Sequence, residues 1–285
     1  MTMRLTTTTP SRALSRLERW RALIDGTLAR VLPEATAIPS VVHEAMHYCV
    51  LSGGKRFRPL LCLGACEAVG ATVREALHVA VALELLHTYS LVHDDLPAMD
   101  NADERRGQPT CHRKFGEGNA ILVGDALLTL AFELLGRNHT PNALPIIRTI
   151  GEACGTVGLI GGQVLDLQVI SRPRDTTERV LRDVAQRKTA ALITASVVSG
   201  ALAGKASRAD IARLQRYGAG VGLAFQLVDD LHDREGLARV MGEERARAEA
   251  EHLVAAAVRA VEPFGAKAQG LRDLADWLVR TAQRP

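Results

Sequence analysis

The segment EALHVAVALELLHTYS, residues 75–90, runs directly into LVHDDLPAMDNADERRG, residues 91–107. The first part is apolar nearly all the way round a helix, and such a helix is stable only when neighbours surround it. The second part places five acidic side chains close together: Asp94, Asp95, Asp100, Asp103 and Glu104. The sequence therefore predicts a central helix of a bundle that ends in a cluster of carboxylates.

The rest of the chain also favours helices. Of its 285 residues, 47% are hydrophobic, 24% are charged and only 4% are aromatic, and it is rich in alanine and leucine. Apolar residues recur at helical spacing, whereas hairpin signals and strict apolar–polar alternation are missing. We predict helices over residues 11–32, 41–51, 59–69, 75–93, 119–135, 143–167, 177–203, 209–233, 242–260 and 271–280. The predicted fold class is all-α, a single large helical bundle.

The domain organisation is predicted to be simple. No internal repeat or linker-like tract divides the sequence, so we expect one domain over residues 1–285, in which residues 1–14 form a loose leader. No uninterrupted apolar run approaches the roughly 20 residues that span a bilayer. Thr and Arg occupy the N-terminal stretch where a signal peptide would be apolar. We expect a cytoplasmic protein without a membrane span.

Charge and cysteine content exclude other classes of protein. The net charge is +3, from 35 Lys and Arg against 32 Asp and Glu, which is too balanced for a nucleic-acid partner that needs a clustered basic excess. The five cysteines are odd in number and form no CxxC pair. They indicate neither a disulfide framework nor a zinc ribbon, and they are typical of thiols in a reducing cytosol.

A second acidic cluster closes another apolar helix, GLAFQLVDDLHD at residues 222–233. Asp229 and Asp233 are four residues apart and lie on one helical face, where two carboxylates repel unless a cation lies between them. A single Asp-Asp pair is more often a solvated helix end. Two such clusters facing each other would instead form an oxygen-lined site suited to Mg²⁺.

Basic residues accompany both clusters. The segment GGKRFRP supplies Gly53, Gly54, Lys55, Arg56 and Arg58 at the start of a predicted helix, where backbone N–H groups also favour an anion. Arg105 and Arg106 follow the first cluster, and Lys188 lies in QRKTAAL. Cations and metal-binding carboxylates together predict a diphosphate ligand.

With these motifs the sequence resembles the trans-type polyprenyl diphosphate synthases, most closely the bacterial farnesyl diphosphate synthases, from about residue 15 to the end. The motifs that carry the resemblance are GGKRFRP, HTYSLVHDDLPAMDNADERRGQPTCHRKFGE, GDALLTLAFE, GLIGGQVLDL, RKTAALI and GLAFQLVDDLHD. The resemblance implies an isoprenoid-synthase bundle with a deep central pocket, assembled as a homodimer. It also implies condensation of isopentenyl diphosphate with an allylic diphosphate.

The resemblance assigns roles to individual residues. It implies that three Mg²⁺ ions are held by Asp94, Asp95, Asp100, Asp229, Asp230 and Asp233. The catalytic set comprises these aspartates, Asp233 excepted, with Arg105 and Lys188, which contact the allylic diphosphate. Isopentenyl diphosphate is expected to contact Gly54, Lys55, Arg58, His87 and Arg106. Thr189 and Gln226 are placed near the reacting carbons.

Three further sets of residues have weaker signals. His93 is interpreted as a packing residue, because Mg²⁺ prefers oxygen ligands. Gln163 and Asp166 are equally compatible with a structural role and with the rim of the pocket. Cys62 and Cys66, one helical turn apart, are interpreted as core thiols.

Product length depends on the residues below the first aspartates. Tyr89 and Ser90 precede Asp94 by five and four residues; helical angle favours Ser90 as the residue beneath Asp94, whereas the resemblance nominates the larger Tyr89. A bulky residue there implies farnesyl diphosphate as product, and a geranylgeranyl diphosphate synthase is the alternative.

The same motifs argue against two other enzyme activities. A class I terpene cyclase would not need GGKRFRP or DDLHD, and a metal-dependent phosphohydrolase would leave the basic clusters unexplained. A non-catalytic subunit of a prenyl synthase stays open, because the segment after Asp233 is shorter than the family's and lacks its Gly-Lys pair.

Overall fold

The computed structural model describes residues 10–137, 141–171 and 177–282, which are almost wholly helical. The helices are α1 (Pro10–Val31), α2 (Ser40–Leu51), α3 (Phe57–Ala68), α4 (Leu77–Asp94), α5 (Cys111–Phe115), α6 (Glu117–Gly136), α7 (Ala143–Cys154), α8 (Leu159–Ser171), α9 (Glu178–Val184), α10 (Ala191–Ala203), α11 (Arg208–Asp233), α12 (Gly236–Met241), α13 (Glu243–Val261) and α14 (Gln269–Ala282). Short 3₁₀ helices, Val73–Ala76 and Glu262–Ala268, precede α4 and α14, and a π-helical turn, Ala185–Ala190, joins α9 to α10. The predicted all-α fold is confirmed.

The centre of the bundle is α4, as its sequence predicts. It packs against α3, α6 and α10, and its apolar side chains between Val79 and Leu86 are fully buried. Each buried leucine or valine of this kind contributes about 1.5–3 kcal/mol relative to an exposed one. The second long core helix, α11, packs on α10 and α13. The core therefore fixes the ends of α4 and α11, where the two acidic clusters lie.

Small residues allow α10 to lie close to both neighbours. A Cβ atom added to Gly200 would lie 2.0 Å from the carbonyl oxygen of Cys62 on α3, and one added to Gly218 on α11 would lie 2.8 Å from the Cα of Thr194. Both distances are far below van der Waals contact, so these positions require glycine. The close approach brings α3 and α11, which carry the predicted cations and aspartates, to either side of one helix.

The structure corrects several predicted boundaries. The helix predicted over 143–167 is broken between α7 and α8, where a Cβ atom on Gly158 would lie 2.1 Å from the Ala153 carbonyl oxygen. The helix predicted over 177–203 contains the π-helical turn. Helices α5 and α12 were not predicted, because neither is long enough to show a helical period.

The prediction that hairpins are absent was wrong at one place. Strands β1 (Glu104–Arg105) and β2 (Gln108–Pro109) pair antiparallel across a tight turn. Its two central residues, Arg106 and Gly107, have φ values of 56° and 74°. Two residues with positive φ are what a type I′ hairpin turn requires. The hairpin turns the chain back immediately after the first acidic cluster.

Two predictions about the chain's organisation stay predictions. Residues 1–9 of the proposed leader lie outside the described residues, whereas α1 already begins at Pro10. By length and composition alone, the stretches Glu117–Gly136 and Ala143–Ser171 could cross a membrane; 39% and 33% of their apolar windows are buried within the bundle. Core helices of soluble proteins pass the same test, so this finding does not establish a span.

Candidate active site

A cavity of about 530 Å³ opens between the two acidic helix ends. Asp94 lines it from the end of α4, and Asp229 lines it from α11. Most of the predicted site residues also line this cavity: Gly54, Lys55, Arg58, His87, Ser90, Arg105, Arg106, Lys188 and Thr189. A second cavity, of about 510 Å³, is lined by Asp100, Gln226 and Asp230 and shares Lys188 with the first. The fold thus brings sequence-distant motifs to one place.

The three predicted aspartates of the first cluster have different surroundings. Burial raises the pKa of Asp94 to about 6, and the like charge of Asp100 adds to this, while Lys188 opposes it. Asp95 is 3% exposed and is held by Arg105, whose Nε donates to both carboxylate oxygens at 2.9 Å. The amide of Asp100 donates to the Asp94 carbonyl at 2.8 Å. Asp94 and Asp100 are therefore available to a ligand, whereas Asp95 holds Arg105 in place.

The second cluster divides in the same way. Asp229 faces the first cavity, with one carboxylate oxygen 3.9 Å from Lys55 Nζ. Burial raises its pKa, and Lys55 opposes that shift. Asp233 is exposed at the C-terminal end of α11, on the same helical side. These two carboxylates can meet a common cation.

Asp230 hydrogen-bonds within the protein, and the metal ligation and catalysis predicted for it stay predictions. Its Oδ1 accepts a hydrogen bond from Gln226 Nε2 at 2.7 Å, and its Oδ2 accepts one from the backbone N–H of Leu237 at 2.6 Å. The side chain is 6% exposed. Oδ2 therefore caps the N-terminus of α12, which follows α11 after only two residues, while Oδ1 is held by Gln226 on α11. The short segment after Asp233 explains why this carboxylate turns inward.

The cap requires a glycine at the start of α12. Gly236 has φ of +55°, and an added Cβ would lie 2.5 Å from Asp230 Oδ2. We expect Gly236→Ala to lower the free energy of unfolding by about 1–3 kcal/mol, because the methyl group displaces the buried carboxylate. Gly107→Ala is the matched control, since Gly107 also has positive φ but has nothing within 4 Å of an added Cβ. Equal losses of stability in the two variants, measured by urea unfolding, would show that the cap contributes nothing.

Two arginines of the GGKRFRP motif differ in what they contact. Arg56 is committed to structure: its guanidinium donates to Asp25 and Glu84, each at 2.8 Å. Arg58 lines the cavity, and its buried Nε has no hydrogen-bond partner among the described residues. Burial lowers the pKa of Arg58, and burial together with Arg58 lowers that of His87 well below its usual range. A buried guanidinium without a partner beside a neutral histidine is a site that an anion would complete.

The glycine turn before α3 is held by two further arginines. The carbonyl oxygen of Gly54 accepts a hydrogen bond from Arg21 Nη2 at 2.5 Å. Arg106 donates to the carbonyl of Gly53, and a Cβ on Gly54 would lie 2.9 Å from the Arg106 Nη2. Gly54 is therefore needed for the close approach of Arg106 to the turn, and Arg21 was missed because nothing in α1 marks it.

Lys55 is held between aromatic rings. Its Nζ lies 5.6 Å from the centroid of Phe225 and 5.5 Å from that of Trp277, and Phe225 stacks on Phe57 with centroids 5.0 Å apart. Cation–π contacts of this kind contribute about 0.5–2 kcal/mol. Trp277 is on α14, far from every predicted motif, so the sequence offered no signal for it.

The π-helical turn places Lys188 and Thr189. Lys188 Nζ donates to Asp166 at 2.6 Å, and Thr189 Oγ1 donates to Gln226 Oε1 at 2.5 Å. A Cβ on Gly162 would lie 2.2 Å from the Lys188 backbone nitrogen, so α8 approaches this turn closely. Asp166 thus orients the lysine. The neighbouring amide of Gln163 is buried in the first cavity with neither polar atom bonded among the described residues.

Below Asp94 the structure separates the two residues proposed to limit the product. Ser90 lines the cavity and donates to the carbonyl of His87 at 2.9 Å. Tyr89 is 5% exposed, its hydroxyl has no partner among the described residues, and its ring packs edge-on against His93 at 5.9 Å. His93 in turn contacts the Ile121 carbonyl at 3.1 Å. His93 is therefore a packing residue, as its sequence indicated.

Comparison with known proteins agrees with this geometry. Residues 39–263 match the family model described as polyprenyl synthetase. The chain belongs to the polyprenyl synthetase family. It is therefore a prenyl diphosphate synthase, and the resemblance seen in its motifs is confirmed.

Relatives of this polyprenyl synthetase carry different product names. The chain is 39% identical to a geranylgeranyl diphosphate synthase of Cyanophora paradoxa, over 93% of this chain and 95% of the relative. It is 44% identical to a chloroplastic geranylgeranyl pyrophosphate synthase of Capsicum annuum over 72% of this chain, but it spans only 57% of that relative. The crystal structure of an FPP/GFPP synthase from Zymomonas mobilis superposes with a TM-score of 0.90 at 36% identity, covering 95% of this chain and all of that one.

The residues of this polyprenyl synthetase fit Mg²⁺. Burial raises the pKa values of Asp94, Asp100 and Asp229 despite the lysines nearby, so a divalent cation beside them would favour their ionised forms. Within the part of the chain that the structure describes, no three acidic, histidine or cysteine side chains converge to hold a metal by themselves. Mg²⁺ commonly takes one or two carboxylates and completes its shell with water and substrate phosphates. The arrangement suits a metal that arrives with a diphosphate.

Proposed function

We propose that this chain condenses isopentenyl diphosphate with dimethylallyl diphosphate, and then with geranyl diphosphate, to give farnesyl diphosphate. The observation that supports it is the first cavity, which is lined by Asp94 and Asp229 and also by Arg58, whose buried Nε has no hydrogen-bond partner among the described residues. Carboxylates suit a metal-bound diphosphate, and the guanidinium suits a metal-free one. One cavity can thus bind two diphosphates by two different means.

The allylic diphosphate belongs at the carboxylate side. Asp94, Asp100, Asp229 and Asp233 would hold up to three Mg²⁺ ions, which supply Lewis-acid stabilisation of the departing diphosphate. Lys188 lines both cavities and is positioned by Asp166 to contact the same diphosphate. Arg105, fixed by Asp95, approaches from the hairpin. Preorganised charge of this kind acts mainly on the transition state.

Isopentenyl diphosphate belongs at the opposite side, where Lys55, Arg58 and Arg106 line the cavity. His87 is neutral, since its pKa is lowered, so it can donate one hydrogen bond without adding charge. The C3–C4 double bond of isopentenyl diphosphate attacks the allylic carbon as the diphosphate leaves, and a proton is then lost from C2 to the departed diphosphate. The bonded pair of Thr189 and Gln226 presents oxygen atoms that can face the developing cation.

The size of Tyr89 and the names of the relatives favour different products. Tyr89 is bulky and buried, which favours a fifteen-carbon chain, whereas the Cyanophora and Capsicum relatives are named for a twenty-carbon product. The non-catalytic subunit stays as the second candidate, because Asp230 is committed to α12. Both alternatives are resolved by one assay.

The assay incubates purified protein with Mg²⁺, isopentenyl diphosphate and dimethylallyl diphosphate, and separates the dephosphorylated alcohols by chromatography. We expect farnesol as the main product. Geranylgeraniol would assign the longer product, and release of phosphate without elongation would assign a hydrolase. Absence of any product from correctly folded protein would favour the non-catalytic subunit.

The aromatic contacts of Lys55 give a prediction about substrate affinity. We expect Trp277→Ala to raise KM for isopentenyl diphosphate about three- to tenfold with little change in kcat, because the lysine loses one of its two ring contacts. Trp277→Phe is the control and should retain most of the affinity. A fall in kcat at unchanged KM, measured by steady-state kinetics, would contradict this positioning role.

We also propose that the protein is a cytoplasmic homodimer. Large apolar side chains are exposed on α6 and α7, in the turn after α7, and on α8: Ile121, Leu122, Leu144, Val157, Ile160 and Val164. A second copy of the chain would cover them, and the five free cysteines suit a reducing compartment. Light scattering of the wild type should give twice the 30.7 kDa mass of one chain. Leu122→Asp should reduce the measured mass to that of one chain, whereas Val240→Asp, on α12, should leave it unchanged. A monomeric wild type at micromolar concentration would contradict the proposal.

A further inference from the structure

Two cysteines from distant parts of the sequence meet beside the active site. Cys49 is near the end of α2, and Cys111 is the first residue of α5. Neighbouring contacts hold the two segments together: Tyr48 donates its hydroxyl to the Pro109 carbonyl at 2.7 Å, and Lys114 Nζ lies 3.8 Å from the Tyr48 ring centroid. The two segments that carry the cysteines are therefore held against each other by packing.

The two thiols face the same small cavity and influence each other's ionisation. The interaction with Cys49 lowers the pKa of Cys111, whereas burial and the Asp95 carboxylate raise it. Cys62 and Cys66 instead donate to backbone carbonyls, at 4.0 and 3.2 Å. Because Cys49 and Cys111 share one small cavity, either sulfur can attack the other once that one is oxidised.

The pair lines a cavity of its own. This cavity is about 40 Å³ and is lined also by Asp95, Arg105 and Arg106. It has room for about one or two water-sized molecules. A peroxide fits such a space, whereas a bulky disulfide such as oxidised glutathione does not.

We propose that Cys49 and Cys111 are a modification site, oxidised by a small peroxide to a disulfide that slows prenyl transfer. The Cys111 thiolate attacks one peroxide oxygen, the O–O bond breaks, and the leaving hydroxide takes a proton to become water. The resulting sulfenic acid is attacked by the Cys49 sulfur, which forms the S–S bond and releases a second water. Two thiols lose two electrons and two protons, and one hydrogen peroxide becomes two waters.

The bridge would act on residues already assigned to the site; this part of the proposal rests on the proposed function. A covalent S–S bond is shorter than any non-bonded contact between two sulfurs, so its formation draws α2 and α5 together. Ser52, three residues after Cys49, accepts a hydrogen bond from Arg106 at 3.4 Å, and Asp95 and Arg105 line the same small cavity. A displacement of about 1 Å in such groups is enough to slow an enzyme severely.

The covalent step can be tested without any substrate. Fully reduced wild-type protein is treated with equimolar hydrogen peroxide, alkylated and digested with trypsin. We expect the intact chain to lose two hydrogen atoms, and the peptides 31–55 and 107–113, which hold one cysteine each, to be joined. Peptide 57–74, with Cys62 and Cys66, is the internal control and should stay alkylated at both thiols. Oxygen added to separate cysteines, or a bridge between any other pair, would overturn the proposal.

The functional step is tested on the same samples. We expect oxidation to lower the prenyl-transfer rate of the wild type about tenfold, and dithiothreitol to restore it. Cys49→Ser should keep its rate through the same treatment. A bridge that leaves turnover unchanged would overturn the link to the active site. If reduced wild type elongates nothing, the proposed function fails instead, and the peptide result still decides whether the modification site exists.

Discussion

Replacing Asp94 or Asp229 with alanine is expected to lower the rate of elongation by at least about three orders of magnitude. Each carboxylate lines the first cavity at the end of a core helix, and each is held there with a raised pKa. Losing either would remove an Mg²⁺ ligand, and with it several kcal/mol of stabilisation for the departing diphosphate. The two side chains lie on separate helices, so neither can take the place of the other, and both losses should be severe.

A matched control for these variants lies in the same acidic segment. Asp103 is paired with Arg113, its side chain is 73% exposed, and it lines neither cavity. Asp103→Ala should retain activity within about twofold, since surface ion pairs contribute little. Steady-state rates at saturating Mg²⁺, with circular dichroism to verify folding, make the comparison. Near-normal turnover of Asp94→Ala or Asp229→Ala would rule out the metal assignment.

The sequence predicted those features that depend on local pattern. Helix α4 was predicted because its apolar residues surround it on every side, and α11 because its apolar stripe runs without a break into Asp229. The break between α7 and α8 was missed because its cause is a backbone contact at Gly158, which a hydrophobic period does not record. Helices α5 and α12 were missed because they are too short to show a hydrophobic period.

The site was predicted by residue type but not by contact. Arg56 and Arg58 are two positions apart in one motif, yet the first is paired with Glu84, whereas the Nε of the second has no partner among the described residues. Asp229 and Asp230 are adjacent, yet only the first faces the large cavity. These differences arise from helical angle and from the two-residue connection to α12. Trp277 shows the further limit, because a contact across the bundle leaves no local signal.

The connection after α11 also bears on how the site closes. Asp230 caps α12, and the second cavity is lined by Asp100, by Glu235 just before α12, and by Gly236 and Arg239 of α12. A longer segment would be free to fold over the diphosphate, whereas this one is tied to α11 by a buried hydrogen bond. Lys188, which lines both cavities, is therefore the lysine in the described residues best placed to follow the diphosphate as it leaves.

Chain length should be set below Asp94, at Tyr89. Five residues before Asp94 corresponds to about 7.5 Å along the helix, a depth that a growing hydrocarbon tail reaches. Ser90 lines the cavity but is small, so it offers little obstruction. Tyr89 is buried one residue deeper, with its ring against His93 and an unpartnered hydroxyl. Removing the ring would open space about as large as the five-carbon unit added in one more condensation.

We therefore expect Tyr89→Ala to shift the main product from farnesyl to geranylgeranyl diphosphate or longer, by at least about tenfold in the ratio of the two. The deeper pocket then accepts the fifteen-carbon chain as a substrate, because no ring meets its end. Tyr89→Phe retains the ring and should leave the distribution unchanged, and Ser90→Ala should alter it little. Chromatography of the dephosphorylated products measures all three variants beside the wild type. An unchanged ratio in Tyr89→Ala, or a wild type that already makes mainly the twenty-carbon product, would mean that another residue ends the chain.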